Sequence, residues 1–421
     1  MNDSIPRDRP LFNRDFNLVT LFIFIFFFNY HAFILLPLRI EELGGSESVI
    51  GFIMGAASMA TILTTPSVGI LIDKWGRKPF LIAGGILISL ATIPFAYLHT
   101  IDFLFPLLRV LHGAALSLSF VAAGTLIADV SSPGKRSLAI GIFGMFSVMN
   151  FALAPYIGKL MVDAYGFDDF FIFCSILGVP ALLAASFIRE PHIHRGSEGK
   201  HGSFIGALRR RGVMAAAFAL VVAGTGFVPA ITFVPIFAVR IGIGAFELFF
   251  ITYTVVILAV RIFFGWLPDK YGKKLVSIPA LFVFSASIAG LGLVTDSLTL
   301  VIAGIFFGAG HGLFYPAIYA LVIDLTPDED RGKAVSICSV AFTFGGMLGV
   351  FAYGVTAELE GFRAMFAIAG AVCTAGFLVF ALYGKDSRKA LEARRVSIPY
   401  FTGNLYHPLS GGIRCPTKIF T

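Results

Sequence analysis

The sequence predicts an all-α membrane protein of about twelve transmembrane helices in two pseudo-symmetric six-helix halves. Three observations carry this: a composition too apolar for water, apolar runs of bilayer length, and a charged turn that occurs twice. Of 421 residues, 57% are hydrophobic and 14% charged, with 46 Phe and a mean hydropathy of +0.86. A water-soluble domain carries about 25% charged residues. Lipid is therefore the solvent for most of this chain.

The runs follow in order. Leu18 to Leu38 contains only Asn29, Tyr30 and His31 as clearly polar interruptions, and about 20 such residues cross a bilayer as a helix. It is too long for a signal-peptide core, lacks a small-residue cleavage site and is followed by many similar runs, so it reads as a retained first span. The spans fall at roughly 16–38, 48–72, 79–98, 103–128, 137–162 and 168–189, then 213–238, 246–268, 275–294, 299–323, 334–357 and 362–384. Membrane strands are about 10 residues long and alternate in polarity; these runs do neither. The expected organisation is a cytoplasmic N-terminal segment (1–15), a first six-helix bundle (16–189), a cytoplasmic linker (190–212), a second bundle (213–384) and a cytoplasmic tail (385–421).

Charge placement sets the expected topology. Arg7, Arg9 and Arg14 precede the first span; Lys74, Arg77 and Lys78 follow the second; Lys135 and Arg136 follow the fourth; Arg209 to Arg211 lie in the linker. Lys270, Lys273, Lys274, Arg331 and Lys333 mark the matching joints further on, and the tail is basic. The intervening loops hold Arg39, Arg240 and Arg363 but more acids, such as Glu41, Glu42, Asp168 and Asp169. By the positive-inside rule both termini and the linker are cytoplasmic, in a multi-pass protein of the cell (inner) membrane. The net charge of +7 is then a topology signal and not a nucleic-acid footprint. Cys174, Cys338, Cys373 and Cys415 have neither metal-ligand nor redox spacing, and no Gly-Lys-Ser/Thr phosphate loop occurs. No metal, cofactor or ATP-hydrolysing site is expected.

The chain repeats. "GILIDKWGRK" (69–78) is echoed by "GWLPDKYGKK" (265–274), which places Asp73 and Asp269 196 residues apart. Asp129 and Asp324 are 195 apart, as are "APYIGK" (154–159) and "GVFAYG" (349–354). Six-span repeats fused in parallel are typical of transporters that rock two halves about a central site.

These residues carry a family resemblance. Gly69-x-Leu71-x-Asp73-Lys74-x-Gly76-Arg77-Lys78 resembles the signature between the second and third spans of the major facilitator superfamily, with Gly265 to Lys274 as its weaker second copy. "RVLHG" (109–113) resembles that family's fourth-span motif, and "APYIGK" its fifth-span antiporter motif, in which Pro155 and Gly158 match while Ala154 and Lys159 replace glycines. Within the superfamily the chain is most similar to bacterial exporters of drugs, sugars or metallophores. The resemblance implies a cytoplasmic gate of Gly69, Asp73, Gly76, Arg77, Lys78, Asp129, Asp269 and Asp324, whose charged members form ion pairs that break when the halves tilt; topological anchoring is the alternative.

Polar groups deep in lipid mark solute or ion routes. The candidate cavity residues are His31, Arg109, His112, Asn150, His311 and Tyr315, with Asn29, Tyr30, Arg261 and Tyr319 beside them. A hydrogen bond to a backbone carbonyl is the alternative for the histidines, and snorkelling toward the cytoplasm for Arg261. Every acid in or beside a span falls near its end, so a cavity with Arg109 and no carboxylate favours an anionic or zwitterionic solute. The expected function is secondary transport of a small organic solute by alternating access in a monomer, as a proton- or other ion-coupled exporter. Histidine is the natural proton carrier here. The alternatives are an importer or facilitator of sugars or carboxylates, and a non-transporting membrane sensor. An integral-membrane enzyme would need a nucleophile with its base or paired carboxylates at one membrane face; none occurs.

Overall fold

The computed structural model describes residues 10–132, 135–190, 211–326 and 331–384; the expected N-terminal segment lies mostly, and the linker and tail almost wholly, outside them. Every regular element among the described residues is helical. The helices are α1 (Arg14–Ala32), α2 (Leu36–Glu42), α3 (Glu47–Trp75), α4 (Lys78–Thr92), α5 (Leu104–Val130), α6 (Arg136–Ile176) and α7 (Gly178–Phe187). After residue 210 come α8 (Arg211–Arg240), α9 (Glu247–Phe264), α10 (Leu267–Tyr271), α11 (Lys273–Leu291), α12 (Ser297–Asp324) and α13 (Arg331–Tyr383).

Among the described residues ten stretches are long and apolar enough to cross a membrane. The first runs Arg14–Glu42, because a 3-10 turn at Phe33–Leu35 joins α1 to α2 and carries the span past the expected residue 38. Two of the ten are about twice the length a bilayer needs: Leu138–Phe187 with 50 residues and Ser336–Tyr383 with 48. Each is broken at one glycine, Gly166 (φ 85°) and Gly361 (φ 82°). No other residue adopts that backbone region at so little cost.

Caps and glycines fix ends and crossings. Asn13 accepts the Phe16 N–H at 2.9 Å and starts α1. Asp296 and Thr299 form a reciprocal capping box on α12. The stretch "GAGHG" (308–312) packs α12 against α9 and α11: a Cβ on Gly308 would stand 2.8 Å from the Tyr253 carbonyl, and one on Gly310 2.7 Å from Phe284. In lipid such close backbone approach supplies the van der Waals contact that holds helices together.

The charged turns gather at one end of the bundle. Asn13 donates to Val130 O (3.1 Å), Arg14 to Phe187 O (3.4 Å), and the Arg189 N–H to Asp15 (2.9 Å). This end, which also holds Arg77 and Lys273, is the basic face. At the far face Arg39 binds Asp168 at 3.0 Å and the His99 ring at 3.2 Å.

Contacts between the portions before residue 190 and after 211 are distributed unevenly. At the far face Arg240 pairs with Glu41 and Glu47, and Glu358 accepts the Ser48 N–H at 3.1 Å. A Cβ on Gly51 would stand 2.4 Å from Val350 O, so α3 and α13 touch backbone to backbone there. At mid-depth Phe151 packs on Tyr253 (5.5 Å) and Phe227 (6.0 Å). Toward the basic face the apolar residues of α1 and α3–α7 form a core of their own, separate from the one that joins the two portions. The contacts that join the two portions therefore concentrate at mid-depth and at the far face.

Candidate functional site

The first charged turn is built around Gly76, whose φ of +91° ends α3 and redirects the chain into α4. Glu190, just beyond α7, lays its carboxylate over this turn. Its oxygens accept the Arg77 N–H at 2.6 Å and the Lys78 N–H at 3.3 Å, the unpaired donors of a helix N-terminus. A Cβ on Gly76 would lie 2.7 Å from Glu190 Oε2 and would push that carboxylate aside, while the positive φ is what requires glycine here. Arg77 Nε stands 3.1 Å from Asp129 Oδ2, both side chains 16% exposed, with the N–H off the line of the oxygen. Arg77 also reaches Asp73 at 3.7 Å, but Asp73 is 74% exposed. Lys78 Nζ donates to Ser186 O at 2.6 Å and Arg136 Nε to Ala128 O at 2.9 Å.

The second turn repeats the plan. Gly272 has φ +109°, Lys273 pairs with Asp324, and Lys274 donates to Gly384 O at 2.7 Å. Asp269 is exposed and takes no part in the Lys273–Asp324 pair. Gly69 lies inside α3, with nothing within 4 Å of where a Cβ would be. Of the two motif glycines, Gly76 is the crowded one. Each ion pair at this face joins helices of one portion; the pairs that bridge the two portions, Arg240 with Glu41 and Glu47, lie at the far face. Sequence reasoning missed Glu190, whose signal is a lone acid ending an apolar run beside a basic loop.

The interior polar groups form two sets. On the N-terminal side Arg109 of α5 is 4% exposed, with Nε and Nη1 unpartnered and its guanidinium 5.3 Å above the Phe33 ring. Tyr30 lies within its electrostatic reach. His31 packs on Phe151 (3.9 Å) and Phe27 (5.2 Å) with Nδ1 unpartnered. His112 is fully buried and faces inward differently: Nδ1 meets Leu108 O at 2.8 Å and Nε2 meets Thr92 Oγ1 at 3.1 Å. Thr92 donates to Asn29, which donates to Cys174 O. With both nitrogens occupied, His112 belongs to a structural relay. Asn150 Nδ2 donates to Phe24 O (3.0 Å) and Phe146 O (3.1 Å) and so ties α6 to α1; Oδ1 is unpartnered.

On the C-terminal side Tyr253 Oη meets His311 Nδ1 at 2.9 Å, which leaves His311 Nε2 without a partner. Tyr315 Oη donates to Tyr319 Oη (3.0 Å), itself 3.1 Å from Ser339 Oγ. Phe227 packs on His311 at 4.6 Å. An aromatic path from His31 through Phe151 and Tyr253 to His311 joins the two sets. Tyr253, Phe151 and Phe227 were not legible as site residues, since in a sequence with 46 Phe one more ring carries no signal. Among the described residues no cluster of His, Cys, Asp or Glu has metal-binding geometry. Pro155 is buried in α6, and a Cβ on Gly158 would stand 3.0 Å from Phe170. Lys159 is paired by Asp163 one turn on, so it is no bare charge.

The family model described as Major Facilitator Superfamily matches residues 18–274 and 241–402. The chain belongs to the major facilitator superfamily. It is accordingly a multi-pass membrane transporter of small solutes and not an enzyme. This facilitator is 27% identical over 367 residues to the multi-drug resistance efflux pump PmrA of Streptococcus pneumoniae, covering 82% of this chain and 90% of that one. It is 22% identical over 363 residues to the staphylopine export protein of Staphylococcus aureus, at the same two coverages. Among solved structures the nucleoside transporter NupG superposes with a TM-score of 0.76 at 13% identity, over 89% of this chain and 100% of that one. A D-xylose–proton symporter superposes with a TM-score of 0.73 at 16% identity, over 89% and 98%. At these identities the superpositions speak for the fold alone.

Proposed function

We propose that this facilitator is a monomeric twelve-span exporter of a small organic anion or zwitterion, coupled to protons and placed in the cell (inner) membrane with its basic face cytoplasmic. The breaks at Gly166 and Gly361 support counting each doubled stretch as two spans, which makes twelve and two halves of six. The positive-inside rule supports the orientation, with termini and linker cytoplasmic. Names of relatives such as PmrA and the staphylopine export protein support export.

One observation carries the choice of solute: Arg109 is buried and has no acidic partner among the described residues. An unpaired guanidinium inside a membrane protein is costly unless a ligand or water completes it. An anion does so best, through charge-assisted hydrogen bonds. Lipophilic cations would meet only repulsion there. His31 and His311, each with one free ring nitrogen, are the groups available to carry a proton.

Alternating access follows from the uneven contacts. In the basic-face-open state, Arg240 with Glu41 and Glu47 latches the far face. The Arg77–Asp129 and Lys273–Asp324 pairs brace the helix ends of each half, so each half moves as a unit. The cytoplasmic gate then forms when those braced ends meet.

The test compares small molecules inside and outside cells expressing wild type, Arg109→Ala or no transporter. Outward movement of an anion by wild type and its loss in the variant supports the proposal. Equal behaviour of the two proteins removes Arg109 from the site.

A further inference from the structure

The last turn of α2 carries two kinds of contact at the far face. Glu41 reaches across to Arg240 of the other portion, which Glu47 of α3 also holds. Arg39, two residues earlier, stays within its own portion. Its Nη1 meets Glu42 at 3.1 Å, and its Nη2 meets both Asp168 Oδ1 of α6 at 3.0 Å and His99 Nδ1 at 3.2 Å. The guanidinium is buried, lies 5.7 Å from the Phe167 ring and keeps Nε without a partner. Ile101, on the same loop as His99, and Ile40 of α2 both close on Gly45. The segment that holds the latch is thus fastened to its own portion by Arg39 and by the His99 loop.

Arg39 dictates the state of His99. A guanidinium only donates, so the Nδ1 that faces it must accept, and the ring is neutral with its hydrogen on Nε2. His99 is also exposed, open to protons from the bulk. A proton that takes the Nδ1 lone pair turns this acceptor into a donor aimed at another donor, one positive charge against a second. Half-exposed Asp168, bound to the same Arg39 nitrogen, is the carboxylate placed to receive the new N–H. The other charged groups facing this corner are Glu42 on α2 and Asp102 on the loop itself, whose Oδ1 is engaged by the Leu104 N–H at 2.8 Å.

We propose that His99 is a proton-binding site that controls the far-face latch: its protonation draws Asp168 off Arg39, loosens the end of α2 and lets Glu41 and Glu47 release Arg240. The far-face-open state then binds this proton more tightly than the present one, because Asp168 and no longer Arg39 faces the ring. A ligand shifts an equilibrium by that difference in affinity. Histidine changes charge between about pH 5 and 8, so acid on this face favours opening. With the far face turned outward, as proposed above, the site reads the side from which a proton-coupled exporter takes its proton.

The test measures the distance across the far face, with spin labels at Ala164→Cys and Thr295→Cys, both exposed. The full chain, carrying Cys415→Ser, is held in lipid nanodiscs at about pH 8 and about pH 5.5; the other three cysteines are buried. The labelled chain with His99 intact should shift to a longer distance in acid. His99→Asn, whose amide oxygen stands in for Nδ1 and accepts from Arg39 at either pH, should hold the shorter distance at both. His99→Lys, charged at both, should hold the longer one. Thermal unfolding of each variant separates a lost switch from a lost fold. If His99→Asn keeps the acid response while His31→Gln or His311→Gln loses it, the far-face site is overturned and proton coupling through the interior stands. A short distance in folded His99→Lys, or no response to acid with His99 intact, also overturns the inference. Both faces of a nanodisc meet one buffer, so the result does not depend on which face is cytoplasmic.

Discussion

Arg77 Nε lies 3.1 Å from Asp129 Oδ2, so the first charged turn is tied to the end of α5 more closely than to Asp73 on its own helix. Lys273 holds Asp324 in the same relation at the second turn. The repeated motif is thus a repeated brace, a lysine or arginine on the turn fastening the end of the helix two spans on. Glu190 completes the first brace from outside the motif by taking the free N–H groups of Arg77 and Lys78.

The geometry ranks the two aspartates. Asp129 is largely covered and Asp73 is mostly exposed. Removing one partner of a part-buried ion pair leaves its mate an uncompensated charge, which costs more than losing an exposed pair, worth about 0–1 kcal/mol. Asp129→Asn is expected to lower transport about tenfold or more, and Asp73→Asn by less. Transport rates at matched membrane expression check the order; a larger loss from Asp73→Asn contradicts it.

The second brace is testable by exchange. Lys273→Asp alone should impair transport by placing two acids together, and the double variant Lys273→Asp with Asp324→Lys should recover part of it. Failure of the exchange to recover any activity, with expression intact, would mean that the pair does more than hold two ends together.

Arg240 is the far-face latch. Arg240→Ala removes its contacts with Glu41 and Glu47, and the population should shift toward a far-face-open state. Spin labels at Asp102→Cys and Thr295→Cys, both exposed at that face, should report a longer distance in the variant. An unchanged distance distribution assigns the far-face closure to the Gly51–Val350 crossing instead.

Backbone crossings set the packing energetics. A Cβ on Gly113 would stand 2.0 Å from Ala57 O, which nothing flexible can yield to. Gly113→Ala should therefore destabilise the folded transporter by about 1–3 kcal/mol, read as a fall in thermal midpoint. Gly69→Ala, where no atom lies within 4 Å, should leave it unchanged in this state.

Much of this was legible in the sequence because lipid imposes simple rules. Spans appear as apolar runs, and the repeat at 195–196 places Asp129 opposite Asp324 before any coordinates exist. Arg109 stood out because an arginine inside a span is rare. What was hidden depends on neighbours distant in sequence. Glu190 meets Arg77 only once α7 returns beside α4. The hydrogen bonds that retire His112 come from Leu108 and Thr92. Gly69 and Gly76 look alike in the motif, yet only Gly76 has φ above zero.

Arg109 is expected to handle an anion during transport. The measurement is uptake by everted membrane vesicles, energised with a proton gradient and offered a panel of organic anions, cations and neutral solutes quantified by mass spectrometry. Wild type is expected to accumulate at least one anion, with Arg109→Ala at background and both proteins equally abundant in the membrane. Accumulation of cations in preference to anions, or full anion transport by Arg109→Ala, would contradict it.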